Sequence, residues 1–531
     1  MDQGPDEARK EIASGAESFE NGARSVLQAR CIQLARMGTV VFHYDMLGYA
    51  DSTQLPMELT HGFSKQRPQM NAPEKWGLFS PQAEARFQTV MGLQTWNSIR
   101  SLDFLEALPD VDPARIAVTG ASGGGTQTFI LCGIDSRPAV AFPAVMVSTA
   151  MQGGCTCENA CGLRVGTGNV EFAALFAPKP MGLTGANDWT LEMPTKGFPS
   201  LQGLYQLLGA PDKVRLTHLP QFGHNYNAVS RGAMYAWLNR HLRLGLREPI
   251  IETNFTRLSR AELTVWDDLH PKPPGGEDFE RGLLHYFTQD AAAKLTEAAK
   301  TPEGRAKLIQ PAIDVVIGRT LRDVGAVTWD ARQQSTGGTF TQTTGLLAYP
   351  DAGESLPAVL LSPKTPVTGT ALFVSPLGKA GLFGADGSPN PQIARLLAEG
   401  VEVLGLDLLY QGEFLADGKP VEKTRRVKNT REAAAYTFGY NHTLFQQRVH
   451  DILSGIAFLR HRGKEGARVR LVADAGAGHW LACARAVSGN AVTSEPIDVG
   501  TFRFADVRDI HSPDFLPGGA KYLDPFVLAG K

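Results

Sequence analysis

Short apolar runs alternate with amphipathic stretches throughout residues 30–242. Apolar runs bounded by turn signals are typical of strands buried on both faces, and amphipathic stretches of helical period are typical of the helices that cover them. The pattern therefore predicts an α/β fold with a mainly parallel sheet. The expected strands are residues 38–44, 116–119, 139–147, 181–184 and 214–219, and the expected long helix is residues 83–108.

The pattern changes in residues 251–326, where the sequence PKPPGG precedes polar helical stretches such as residues 279–299. Such a segment is typical of a helical connection. We therefore expect a first α/β lobe at residues 1–250, a helical connecting segment at 251–326 and a second α/β lobe at 327–531. In the second lobe, strand signals return at residues 327–331, 345–349, 358–361, 371–375, 401–406 and 469–472.

The second lobe resembles a diverged copy of the first. The alignment places RIAVTGASGG (residues 115–124) over VRLVADAGAG (residues 469–478), and it also places LARMGTVVFHYD over LLAEGVEVLGLD. An internal duplication explains both matches. Ser122 then lies opposite Gly476. If Ser122 is a nucleophile, the second lobe has lost it.

The sequence VTGASGGG, residues 118–125, permits two interpretations. G-x-S-x-G is typical of a nucleophilic serine on a sharp turn between a strand and a helix, with Gly120 and Gly124 letting the two elements approach. The other interpretation is the dinucleotide loop of short-chain dehydrogenases, which the sequence matches through Gly124 but not at Thr126. Such enzymes also need a tyrosine followed four residues later by lysine, and none of the eleven tyrosines has one. The sequence therefore favours Ser122 as a nucleophile.

The other members of a serine-acid-histidine triad are expected after later strands, in that order. Asp188 follows the fourth predicted strand and His224 follows the fifth. The histidine would take the serine proton, and the carboxylate would hold the histidine in the correct tautomer. Glu192 and Glu171 are the alternative acids.

Other stretches add to this pattern: DMLGY (45–49), VDPARI (111–116), CEN (157–159), APKP (177–180), NDWT (187–190) and HNY (224–226). With them, residues 29–244 resemble the α/β-hydrolase superfamily, particularly the acetyl xylan esterase-like group of bacterial carbohydrate esterases. The resemblance implies hydrolysis of carboxylic esters, often acetyl or uronate esters on plant polysaccharides, through an acyl-enzyme on Ser122.

The resemblance also implies a role for the other candidate residues. His224 is the expected base and Asp188 the expected acid, and the backbone amide of Gly123 is an expected oxyanion donor. Trp189 and Glu192 are expected to face the substrate. No cofactor is expected.

The resemblance is incomplete in both lobes. A hydrolase nucleophile follows the fifth strand of its sheet, but only two strands are found before Ser122, so we expect the first strands to be absent or to lie upstream of Met1. The second lobe ends without an acid or histidine beyond a recognisable strand. The expected fold is two incomplete α/β-hydrolase-like lobes with mainly parallel sheets, joined by a helical segment.

Two other functions are alternatives to ester hydrolysis. The first is a non-catalytic scaffold or carbohydrate-binding protein, and the second is a peptidase.

Charge and hydropathy narrow the classes of partner. The net charge of −2 and the lack of basic runs argue against nucleic acid and an anionic membrane surface, which leaves a small-molecule or polysaccharide ester. The longest apolar stretch, residues 139–151, is too short to cross a bilayer. The N-terminal residues lack the apolar core of a secretory signal, so the compartment stays unknown. The oligomeric state is not indicated.

Three of the six cysteines lie in CTCENAC, residues 155–161. The spacing C-x-C-x3-C without a nearby histidine is a poor zinc signature. We therefore expect a local disulfide or buried thiols, and no metal.

Overall fold

The structure is a computed structural model, which describes residues 3–62, 65–425, 433–464 and 466–529. The chain divides into two compact units. The first consists of residues 1–65 and 89–280, and the second of residues 66–88 and 281–531. Each unit contains one β-sheet with helices, so the predicted α/β fold class is confirmed. The division at residues 250 and 326 stays a prediction.

The strands, in chain order, are β1 (Ala117–Ala121), β2 (Val140–Ala144), β3 (Met181–Ala186), β4 (Val214–Leu219), β5 (Thr328–Thr336), β6 (Phe340–Tyr349), β7 (Glu354–Pro363), β8 (Gly369–Val374), β9 (Val401–Leu406) and β10 (Arg470–Ala473). The α-helices, in chain order, are α1 (Pro5–Ala13), α2 (Glu20–Arg24), α3 (Val26–Arg36), α4 (Met57–Thr60), α5 (Pro81–Glu84), α6 (Val90–Glu106), α7 (Gly123–Ile134), α8 (Asn169–Ala174), α9 (Phe198–Leu207), α10 (Ala228–His241), α11 (Arg260–Leu263), α12 (Glu277–Ala299), α13 (Pro302–Gly304), α14 (Gln310–Ile317), α15 (Pro391–Ala398), α16 (Ala434–Thr437), α17 (Leu444–Arg462), α18 (Gly478–Ala486) and α19 (Gly519–Phe526). Among the described helices, none combines the length and the apolar character that a bilayer-spanning segment needs.

The sheet of the first unit has four parallel strands in the order β1-β2-β3-β4. Parallel neighbours need crossover connections, and α7, α8 and α9 lie in the three connections of this sheet. Successive side chains of a strand point to opposite faces, so β2 contributes to two cores. Ala141 belongs to the apolar cluster of Phe129, and Phe142 belongs to that of Trp237. Because all four strands are parallel, their carboxyl ends lie along one edge of the sheet.

Residues 38–44 do not form the strand that their sequence predicts. Among the described residues, they have no ladder partner, and β1 is the first strand in the sheet order. Strand propensity describes a fit to a neighbouring strand, so an apolar β-branched run without a partner does not become one. This segment instead packs through its side chains, since the ring centroids of Phe42 and Phe104 of α6 are 4.9 Å apart.

The sheet of the second unit has six strands in the order β10-β8-β9-β7-β6-β5. The pairs β10-β8 and β8-β9 are parallel, whereas the pairs from β9 to β5 are antiparallel. All six strands predicted for the second lobe are present, but the sheet is mixed rather than mainly parallel. Helix α17 is buried along most of its length in the main apolar cluster of this unit.

A buried cluster of charges ties distant segments of the first unit together. Arg231 of α10 is fully buried and donates to both carboxylate oxygens of Glu17, at 2.8 Å each. It also donates to both oxygens of Glu252, at 2.6 and 2.7 Å, and to the carbonyl oxygen of Tyr226 at 2.9 Å. The guanidinium group thus satisfies two buried carboxylates at once, which is the geometry that makes a buried ion pair tolerable.

We expect Arg231→Met to destabilise the first unit by about 3–5 kcal/mol, because it leaves two buried carboxylates without their cation. Urea unfolding of the full chain, followed by intrinsic fluorescence, measures the loss. Arg240→Met is the matched control: Arg240 lies on the same helix but pairs with Asp212 at the exposed surface. It should change the stability by less than about 1 kcal/mol. Equal losses in the two variants would contradict the importance of the buried cluster.

Candidate active site

Ser122 is the single residue between β1 and α7. Its φ angle is 56° and its ψ angle is −125°, a conformation that costs a serine about 1–3 kcal/mol unless its surroundings enforce it. The N–H of Ser122 donates to the carbonyl oxygen of Ala144 at 3.2 Å, and its carbonyl oxygen accepts from the N–H of Thr126 at 3.0 Å. These bonds fix a sharp strand-to-helix turn that presents the serine at the end of β1.

Two glycines near Ser122 permit β1, β2 and α7 to lie close together. A Cβ atom at Gly120 would lie 2.5 Å from the carbonyl oxygen of Gly124, and a Cβ atom at Gly125 would lie 2.7 Å from the Cβ of Met146. A Cβ atom at Gly124 would meet nothing within 4 Å. The expected requirement for glycine therefore holds at Gly120, but its second position is Gly125 rather than Gly124.

Asp188 and His224 are in direct contact. Nδ1 of His224 lies 2.7 Å from Oδ2 of Asp188, while Oδ1 accepts from the backbone N–H and the hydroxyl of Thr190 at 2.7 and 2.5 Å. Burial disfavours the charged form of Asp188, but the hydrogen bonds from His224 and Thr190 outweigh it and lower the pKa of Asp188. The carboxylate therefore engages one imidazole nitrogen and leaves Nε2 for proton transfer.

The parallel sheet brings these residues to one edge. Ser122 follows β1, Asp188 follows β3 and His224 follows β4. The carboxyl ends of parallel strands share one edge of the sheet, where ligands bind in open α/β folds. A serine on a strained strand-to-helix turn thus lies at the same edge as a hydrogen-bonded Asp-His pair. The fold is α/β-hydrolase-like.

The other predicted site residues of this hydrolase-like unit lie in different surroundings. The ring of Trp189 packs against that of His224 with centroids 4.3 Å apart. Glu192 pairs with Lys196 at 2.7 Å on an exposed turn. Glu171 lies on α8. Of the three acids considered from the sequence, Asp188 is the one in contact with the histidine.

Glu158 is a buried carboxylate next to the serine turn, and the sequence alone indicated no role for it. Its Oε2 accepts from the N–H groups of Gly154 and Cys155 at 2.8 and 3.1 Å, and its Oε1 accepts from the hydroxyl of Thr126 at 3.2 Å. A Cβ atom at Gly123 would lie 3.7 Å from the same Oε1. Glu158 thus anchors the cysteine-containing loop to the first turn of α7. The only sequence signal for it was its place in the CEN stretch.

The structure brings a histidine to the cysteine-containing loop. Nδ1 of His61 lies 3.2 Å from Sγ of Cys155 and 3.8 Å from Sγ of Cys157, and the two sulfurs are 2.9 Å apart. All six cysteines, each within the described chain, are free thiols rather than a local disulfide. A hydrogen bond from the Cys157 thiol lowers the pKa of Cys155 to about 6, against the opposing effect of burial. The sequence has no histidine close to these cysteines, and the fold brings one to them from 94 residues away.

Solved structures similar to this chain include three esterases. Methylesterase BT1017 has 27% sequence identity over 51% of this chain and 56% of its own, with a TM-score of 0.35. A carbohydrate esterase family 15 glucuronoyl esterase from Caldicellulosiruptor kristjansonii has 21% identity over 35% of this chain and 58% of its own, with a TM-score of 0.25. Acetyl Xylan Esterase 1 from Thermoanaerobacterium sp. JW/SL YS485 has 12% identity over 35% of this chain and 56% of its own, with a TM-score of 0.25. The chain thus spans little more than half the length of these structures. No family model and no curated protein matches the chain.

We expect Gly125→Ala to destabilise the first unit by about 1–3 kcal/mol, because the added methyl group has no room beside Met146. Gly124→Ala is the matched control on the same helix turn, where the added methyl group meets open space. It should leave the stability unchanged or raise it by about 0.5–1 kcal/mol, since alanine favours the helix. Urea unfolding of both variants measures the difference, and a loss of the same size at Gly124 would overturn this account of the turn.

Proposed function

We propose that this chain is a serine-dependent carboxylic-ester hydrolase that acts on carbohydrate esters through an acyl-enzyme on Ser122. The observation that carries the proposal is the 2.7 Å contact between His224 and Asp188 at the sheet edge that also presents Ser122. The carbohydrate substrate is adopted from the sequence resemblance, and the similar solved structures bear names of the same class. The acyl group and the sugar are left open, and acetyl and uronate esters are the two classes that the resemblance implies.

In the proposed reaction, Oγ of Ser122 attacks the ester carbonyl carbon while Nε2 of His224 takes its proton. Asp188 stabilises the imidazolium that forms. The tetrahedral intermediate then expels the alcohol, which receives the proton from His224, and leaves the acyl group on Ser122. Water then attacks this acyl-enzyme while Nε2 of His224 takes a proton from it. The histidine returns that proton to Oγ of Ser122 as the acyl–oxygen bond breaks, and the acid product leaves.

The first turn of α7 supplies the proposed oxyanion site. The first N–H groups of a helix have no intrahelical partner, and the helix dipole makes this end attractive to negative charge. In α7 these amides belong to Gly123, Gly124 and Gly125, of which Gly125 is buried against Met146. We assign the N–H of Gly123 as one donor to the oxyanion. Removing one such donor typically costs about 10² to 10³ in rate, so this turn carries a large part of the proposed catalysis.

The proposal extends to two substrate contacts. Trp189 packs on the imidazole of His224, so a sugar ring bound at the same place would meet an aromatic face. Glu192 lies three residues further along and is partly exposed. Both are proposed as substrate-binding residues beside the Asp-His pair.

The second unit has no part in the proposed chemistry. Gly476 aligns with Ser122 and shares its positive φ angle, at 87°. However, β10 ends at Ala473 and α18 begins at Gly478, so four residues separate the two elements instead of one. A longer link removes the sharp turn that activates a serine, so packing or substrate contact, and no chemistry, is proposed for the second unit.

We expect Ser122→Ala to lower the hydrolysis of an aryl acetate by about 10⁴- to 10⁶-fold, because the nucleophile is lost while binding and oxyanion contacts remain. Labelling by a fluorophosphonate probe, located by mass spectrometry, should occur on Ser122 of the unchanged chain and disappear in the variant. Ser101→Ala, on α6, is the control and should keep both rate and label. A folded, unchanged chain with neither turnover nor label would favour the non-catalytic carbohydrate-binding alternative.

We expect Asp188→Asn to lower kcat by about 10⁴-fold, because an amide beside Nδ1 favours the wrong tautomer of His224. Glu171→Gln tests the alternative acid on α8 and should leave kcat unchanged. Steady-state kinetics on the aryl acetate, with circular dichroism to show that both variants fold, make the comparison. A large loss in Glu171→Gln with a small one in Asp188→Asn would show that the acid is misassigned.

A further inference from the structure

Two thiols and one imidazole form a cluster that the proposed ester hydrolysis does not use. His61 directly follows α4, whereas Cys155 and Cys157 lie in the loop before α8, more than ninety residues later. Nδ1 and the two Sγ atoms all lie within 4.8 Å of one another. Two thiolates with an imidazole form a ligand set that suits Zn²⁺.

The distances allow a tetrahedral ion. With Zn–S bonds of about 2.3 Å and Zn–N bonds of about 2.0 Å, neighbouring ligand atoms lie about 3.5–3.8 Å apart. The distances from Nδ1 of His61, 3.2 and 3.8 Å, are close to this range. The two sulfurs, at 2.9 Å, must separate by somewhat less than 1 Å, and the half-buried side chain of Cys157 can turn outward to do so. The 2.9 Å between the two Sγ atoms also exceeds the length of a disulfide bond, which is about 2.05 Å.

The backbone around the cluster is already organised as a support for ligands. The N–H of Gly62 donates to Sγ of Cys155 at 3.1 Å, and the N–H of Thr156 donates to the carbonyl oxygen of Gly62 at 2.9 Å. The ring of Tyr49 meets that of His61 edge to face, with centroids 5.3 Å apart. Hydrogen bonds and ring contacts to the ligand residues hold the ligands in place and tune metal affinity.

We propose that His61, Cys155 and Cys157 bind one Zn²⁺ ion, with water as the fourth ligand. His61 is exposed, so the fourth position opens to solvent. The ion would join the segment after α4 to the loop whose Glu158 is anchored under the first turn of α7. Its role is therefore to stabilise this loop. The proposal stands independently of the proposed ester hydrolysis.

Cobalt provides the direct test, because Co²⁺ bound to thiolate gives a charge-transfer absorption that oxygen and nitrogen ligands lack. The full chain is reduced, stripped with a chelator and titrated with Co²⁺, then with Zn²⁺. We expect one Co²⁺ per chain, a thiolate-to-cobalt band and displacement by Zn²⁺. Cys155→Ser and Cys157→Ser should each weaken the band and lower the Zn²⁺ affinity by about 100-fold or more. Removing a group that only contacts a ligand already lowers metal affinity by about 10- to 100-fold, so removing a ligand should cost at least as much.

Two further variants separate a lost ligand from a lost fold. His61→Gln changes an exposed side chain, so it should lower the Zn²⁺ affinity while circular dichroism stays unchanged. Cys31→Ser changes a thiol on α3 outside the cluster and should leave the band and affinity intact. The proposal is overturned if the reduced chain shows no thiolate-to-cobalt band, if Cys155→Ser and His61→Gln bind Zn²⁺ like the unchanged chain, or if Cys31→Ser alone abolishes binding. Because no readout uses esterase activity, these results are independent of the proposed function.

Discussion

The close approach of β1 and α7 around Ser122 is the constraint on which the rest of the candidate site depends. Gly120 has room for no side chain against the backbone of Gly124, and Gly125 has none against Met146. This contact forces the one residue between strand and helix into a positive φ angle, at a cost that the surrounding hydrogen bonds offset. The strained residue places its side chain at the carboxyl end of β1, next to the first turn of α7.

The loop that carries His224 is held by contacts on both sides. The hydroxyl of Tyr226 lies 2.6 Å from that of Thr119 in β1, and the carbonyl oxygen of Tyr226 accepts from the buried Arg231. The charged cluster around Arg231 therefore does more than join segments of the first unit, since it also fixes the chain two residues beyond the histidine. On the other side, Asp188 is held by Thr190. The imidazole of His224 is therefore held in one orientation by the protein itself.

Glu158 connects the serine turn to the loop that carries Cys155 and Cys157. Its two oxygens divide their contacts between Thr126 on α7 and the backbone of the cysteine-containing loop. The loop is thus positioned by a buried carboxylate on one side and by the His61 segment on the other.

Features that depend on local order along the chain could be predicted from the sequence. Hydrophobic periodicity located four of the five strands expected in the first unit and all six in the second, and the order of Ser122, Asp188 and His224 after successive strands followed from the same pattern. Features that depend on a partner elsewhere in the chain became visible only in the folded protein. Residues 38–44 have strand propensity but no neighbour to pair with, and the need for Gly125 comes from Met146, a residue of another segment. His61 meets Cys155 across a separation of 94 residues. Local periodicity carries no information about which distant loops the packing of helices on a sheet brings together, so contacts of this kind could not be predicted from the sequence.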